Sequence, residues 1–154
     1  MRIVSVAFGL MLLFAAGACI AEVEPDVGPA RAGICKAEDS DQKKTVSYRN
    51  DILPLFERPL GMAGCSCHLP SSRRTVGIDA TGLDVSSYTA IMRGGTSSRD
   101  TAIVPGDPCM SLVVQKVSNA PPSGNRMPSD GPPYLTSPEI TLLSDWIAEG
   151  ALDN

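Results

Sequence analysis

Large aromatic side chains are scarce, with three Phe, three Tyr and one Trp in 154 residues. So few rings fill the core of a domain of about 110 residues thinly, and some other apolar bulk or covalent staple must help. Basic charge is short as well, 13 Lys and Arg against 17 Asp and Glu. That balance excludes the cationic surface that nucleic acid requires. Nowhere does strand-type alternation rival helical spacing, which excludes a β fold. A nucleophile elbow, a phosphate loop and a paired acid and base are all missing, so no enzyme is expected. After the N-terminal segment there is no internal repeat and no apolar run long enough to span a bilayer.

The first apolar run, from Ile3 to Ala16, follows Arg2 and ends in small residues before Cys19. A positive start, a short apolar stretch and a small-residue exit describe a secretory signal peptide over residues 1–18. Ala16-Gly17-Ala18-Cys19 also resembles a bacterial lipobox, in which Cys19 is lipidated; ordinary cleavage after Ala18 or Ala21 is the alternative. Each buried methylene of such an anchor contributes about 0.8 kcal/mol, enough for two or three chains to hold a protein on a membrane. The expected location is therefore the periplasmic face of a bacterial membrane, an oxidising setting in which disulfides persist.

Residues 19–44 are polar, carry Pro25, Gly28, Pro29 and Gly33, and lack apolar periodicity, so they read as a flexible tether. Cys35 lies within it. Residues 45–154 read as one domain with four helical segments. The first, 46–57, carries Ile52, Leu53, Leu55 and Phe56 and is interrupted by Pro54. The second, 84–93, stops at Gly94-Gly95. The third begins at Asp107-Pro108 and runs through Leu112, Val113 and Val117. The fourth, 137–150, starts at Ser137-Pro138-Glu139 and places Ile140, Leu143, Trp146 and Ile147 on one face. Loops rich in Gly, Pro and Ser connect them, notably 118–133. The expected fold class is all-α.

The only histidine, His68, follows Cys67 in Gly64-Cys65-Ser66-Cys67-His68, and Arg126-Met127-Pro128 comes far downstream. A thiol beside an imidazole can tether a porphyrin while the imidazole takes one axial site of its iron. A distant thioether takes the other. Met127 sits before a proline in a loop, where a side chain can be aimed inward. Met62 lies too close to His68 to reach the opposite face, and Met92 and Met110 sit on expected helices, where core packing is the default.

Further segments extend this pattern. Asp51-Ile52-Leu53-Pro54-Leu55-Phe56, Leu83-Asp84-Val85-Ser86-Ser87-Tyr88 and Val104-Pro105-Gly106-Asp107-Pro108 come in order, followed by Asp145-Trp146-Ile147-Ala148-Glu149-Gly150-Ala151. Together with the Cys-His and Met-Pro pairs, they resemble the single-haem cytochrome c domains of bacterial secreted proteins and lipoproteins, over residues 46 to 151. The resemblance implies a small helical domain around one haem c, with long Gly/Pro-rich loops. It makes His68 and Met127 the axial ligands and Cys67 a thioether cysteine. Asp51, Tyr88 and Trp146 would serve packing and helix placement. A periplasmic, membrane-anchored electron carrier serving redox partner proteins is the function it implies.

The chain departs from the family's Cys-x-x-Cys-His, because Gly64 stands where the first cysteine would be. Cys67 alone holds the haem, or Cys65 also reaches a vinyl group, or Cys65 pairs with Cys109. Cys67 as the single tether is favoured. For Cys35 and Cys109 a disulfide is expected, with each other or with Cys65. Two other classes are weighed: a haem-free structural or binding lipoprotein on the same scaffold, and a soft-metal site of Cys65, Cys67, His68 and Met127 suited to Cu(I).

Overall fold

The computed structural model describes residue 35 and residues 37–119 and 121–154. The expected signal peptide, Cys19 and the tether before Cys35 lie outside the described residues. Among the described residues the regular structure is helical, with no strand, as the all-α expectation required. No described helix is long and apolar enough to cross a membrane.

The segment expected over 46–57 opens as a π-helical turn, Tyr48–Ile52, and passes into α1, Leu53–Phe56. Pro54 has no N–H to donate, so it is tolerated in the first turn of α1, where no partner is required. Ser47 caps the π turn through Asn50 N–H, and the Asp51 carboxylate accepts the Ser47 N–H at 2.9 Å. A second helix, α2, Val76–Thr81, was not expected. It buries none of its residues, so its sequence carries no apolar stripe to betray it.

Helix α3, Tyr88–Arg93, begins later than the expected residue 84. The Asp84 carboxylate takes the Ser86 N–H in a local turn, and Ser87 provides the cap. Gly94, at φ +70°, ends the helix as expected. Asp107 likewise closes a turn with Met110 N–H instead of starting a helix, and α4 runs only over Leu112–Val117. Helix α5, Ser137–Ala148, matches the expected segment closely, although Thr136 is its cap. The Thr136 N–H and hydroxyl both donate to Glu139, and Arg58 pairs with the same carboxylate.

The apolar face of α5 forms the centre of the core, with Ile140, Leu143, Trp146 and Ile147 buried. The Tyr48 ring lies 5.4 Å from Trp146 and 5.5 Å from Tyr88, joining the first and third helices to the last. Trp146 Nε1 donates to Leu152 O at 3.0 Å, so its one polar atom is satisfied.

The described end of the tether segment is fastened to the domain. Cys35 forms a disulfide with Cys109, a closure spanning 74 residues. Ser40 donates from both N–H and hydroxyl to the buried Asp145 carboxylate. A carboxylate taken out of water needs such donors, and the arm supplies them. The Cys65–Cys109 alternative is corrected, because Cys109 is taken by Cys35 and Cys65 is a free thiol.

Two expectations follow from this packing. Trp146→Ala should lower stability by about 3–5 kcal/mol, as emptying a buried aromatic site does, read by urea unfolding followed with far-UV dichroism. Cys35→Ser should lose about 2–4 kcal/mol in the same assay, and a loss no larger than for Ser40→Ala would refute the staple role.

Candidate functional site

A 3-10 turn, Ser66–His68, carries the cysteine and histidine pair. Its backbone is pinned at both ends. Cys65 N–H donates to Phe56 O at the end of α1, and Val85 N–H donates to His68 O ahead of α3. The imidazole is therefore placed by core elements although it sits on a loop.

His68 Nδ1 lies 3.2 Å from Leu83 O. A carbonyl only accepts, so Nδ1 carries the proton and Nε2 keeps its lone pair. Burial pushes the imidazole below its ordinary value, with the Leu83 bond opposing it in part. The result is a neutral ring of defined tautomer, the state in which imidazole binds a metal. Helix α2 approaches this ring through Gly77, where a Cβ would stand 2.7 Å from His68 Nε2. Glycine there leaves open the space that any side chain would fill.

His68, Cys65, Cys67 and Met127 all line one cavity of about 380 Å³. Val85, Ile91, Leu112, Val113 and Val117 supply apolar walls. Size and lining match those of small-molecule and cofactor sites, which run from about 300 to 1,000 Å³ with few polar groups. Met127 is half-buried and packs on the core. By contrast Met62 and Met110 are 59% and 61% exposed and do not line the cavity, and Met92 packs on the core away from it.

The Met127 loop is tied to α4. Met127 N–H donates to Lys116 O at 2.8 Å, and Arg126 Nε donates to Val117 O at 2.9 Å. The Arg126 guanidinium also stacks 4.2 Å over the Tyr134 ring. The Gly61 N–H donates to the Asp130 carboxylate, joining this loop to the one that precedes Cys65.

Position 64 has no room for a side chain. A Cβ at Gly64 would lie 2.5 Å from both the Cβ and the carbonyl oxygen of Arg58. Arg58 is itself held by Glu139, whose carboxyl its hydrogen bond keeps below the ordinary value. No side chain enters position 64 on this backbone. Cys65 packs against the core, and burial first, then the neighbouring Cys67, pushes its thiol up to about 12.

Sequence reasoning missed Gly77, the Leu83 carbonyl and Lys116. A backbone carbonyl leaves no trace in sequence, and a lysine in a short helix reads as solvated. Among the described residues, no group of three His, Cys, Asp or Glu side chains is placed to hold a metal ion. The chain matches no family model, and neither the curated proteins nor the solved structures contain a significant match.

Burial holds the proton on both the Cys65 thiol and the Tyr48 phenol, the latter raised to about 12 mainly by desolvation. The unfolded chain releases these protons first as pH rises, so it gains the stabilisation. Folding stability should fall above the ordinary thiol value of 9.0. Cys65→Ser should delay that decline to the ordinary phenol value of 10.0, read by urea unfolding across a pH series. An unchanged onset would rule out a protonated, buried Cys65.

Proposed function

We propose that the chain is a small electron carrier of the cytochrome c type, holding one haem c between His68 and Met127 with Cys67 as its covalent tether. The observation that carries this reading is a convergence. An imidazole and a thioether far apart in sequence line one apolar cavity, together with two free thiols. Haem bound there supplies one-electron Fe(III)/Fe(II) exchange.

The residues present fit that group. His68 offers a neutral Nε2, held in its tautomer by Leu83 O. Met127 offers a soft, uncharged sulfur, which favours the reduced state and raises the potential. The apolar walls exclude water and add bulk to a core that has few rings. Cys67 adjoins His68 in the same 3-10 turn, whereas Cys65 packs against the core. Attachment through one thioether accords with the closed position at Gly64.

Two protein ligands on one iron leave no place for substrate, so this is a carrier and not an enzyme. The domain has the cytochrome c-like fold in this reading, with signal-directed export and lipidation of Cys19 placing it on the periplasmic face of a bacterial membrane. Its partners are redox proteins and, through the anchor, the membrane itself.

Intact mass and a pyridine haemochrome spectrum of the exported protein test the proposal, with one haem per chain and one thioether expected. His68→Ala should abolish stable haem incorporation. Met127→Ala should keep the haem attached while lowering the potential and removing the Met-to-iron charge-transfer absorption. Folded wild-type protein that is colourless and free of iron would end this reading.

A further inference from the structure

The loop that presents Met127 has no regular structure, and residues 122–125 of it are exposed. Such a segment cannot hold a side chain in place by itself. Three bonds from a single residue of α4 do so. Lys116 Nζ donates to Ser123 O at 2.8 Å and to Asn125 O at 2.7 Å, while Lys116 O accepts the Met127 N–H at 2.8 Å. We propose that Lys116 is a positioning residue for Met127, clasping the 123–127 loop from both side chain and backbone so that the thioether stays turned toward the cavity. This rests on the haem reading of that cavity.

The chemistry suits the task. An ammonium is a compact charge with three donors, and two loop carbonyls converge on it. Bonds from a charged donor are stronger than neutral ones. Among the described residues no carboxylate forms an ion pair with Lys116, so its donors are committed to the loop and not to a competing partner. Gly124, at φ +59°, lets the chain bend over the ammonium between the two accepting carbonyls. Lys116 also lines the cavity, and burial lowers its proton affinity somewhat. Arg126, bonded to Val117 O, holds the other side of the same loop and limits its freedom further. A thioether held in position binds iron without the ordering cost that a mobile loop would impose.

The test uses the exported haem protein with Lys116→Leu, which keeps the apolar stem and removes the donors, and Lys116→Arg, which restores charged donors. Lys116→Leu should retain one covalent haem by mass. Its 123–127 amides should exchange roughly tenfold faster with deuterium, and the loop should no longer hold Met127 firmly. The Met-to-iron charge-transfer absorption should weaken and the potential move toward that of Met127→Ala. Lys116→Arg should recover most of each change, which a purely structural lysine would not predict. If Lys116→Leu fails to fold, Lys116→Gln, which keeps a neutral amide NH2 on a shorter stem, should show intermediate exchange and absorption. Wild-type exchange, absorption and potential in the Leu or Gln variant would overturn this inference alone. A wild type without haem overturns the proposed function and this inference with it.

Discussion

The burial of one face of α5 is the constraint on which the other elements depend. Ile140, Leu143, Trp146 and Ile147 leave no room for solvent, and Tyr48 reaches them from the first helix while Tyr88 touches Tyr48 from the third. Every other α-helix among the described residues is short, 4 to 6 residues, and would fray alone. Helices α1, α3 and α4 are held by burying Phe56, Ile91, Val114 and Val117 in the same core, whereas α2 buries none of its residues and lies against the Ser66–His68 turn. The disulfide from Cys35 to Cys109 and the Ser40 bonds to Asp145 add fastenings from outside, consistent with a core that has few aromatic rings.

Around that centre, two loops are held so that both line one cavity. The Cys65–His68 turn hangs between Phe56 O and Val85 N–H, and the Met127 loop hangs on Lys116 and Val117. Neither loop carries a hydrogen-bond ladder of its own. Each is placed by bonds to helices or core-buried residues, which is how a loop side chain acquires a defined position. The cavity between them is apolar, so the neutral His68 imidazole is its natural state and a cation would be disfavoured there.

Position 64 shows how packing can require glycine. A cysteine there would run into the Arg58 backbone, and Arg58 is engaged with Glu139 at the start of α5. Position 64 is therefore closed by the segment after α1, which Glu139 at the start of α5 holds through Arg58. Gly77 is a similar case, since α2 approaches the His68 ring only because no Cβ intervenes.

Much of this was legible in the residues themselves. The period of α5, the stop at Gly94 and the proline break in the first segment follow from local rules of spacing, capping and missing donors, which act over a few residues. The pairing of His68 with Met127 as candidates rested on residue type and order. Helix α2 was illegible because it buries nothing, and the late starts of α3 and α4 because Asp84 and Asp107 spend their carboxylates on turns. Local chemistry, in short, determined which segments are helical and which side chains could act. Tertiary packing alone decided that Cys109 bonds Cys35, that Gly64 has no room for a side chain, and that Lys116 reaches the Met127 loop, because each depends on distances between segments remote in sequence.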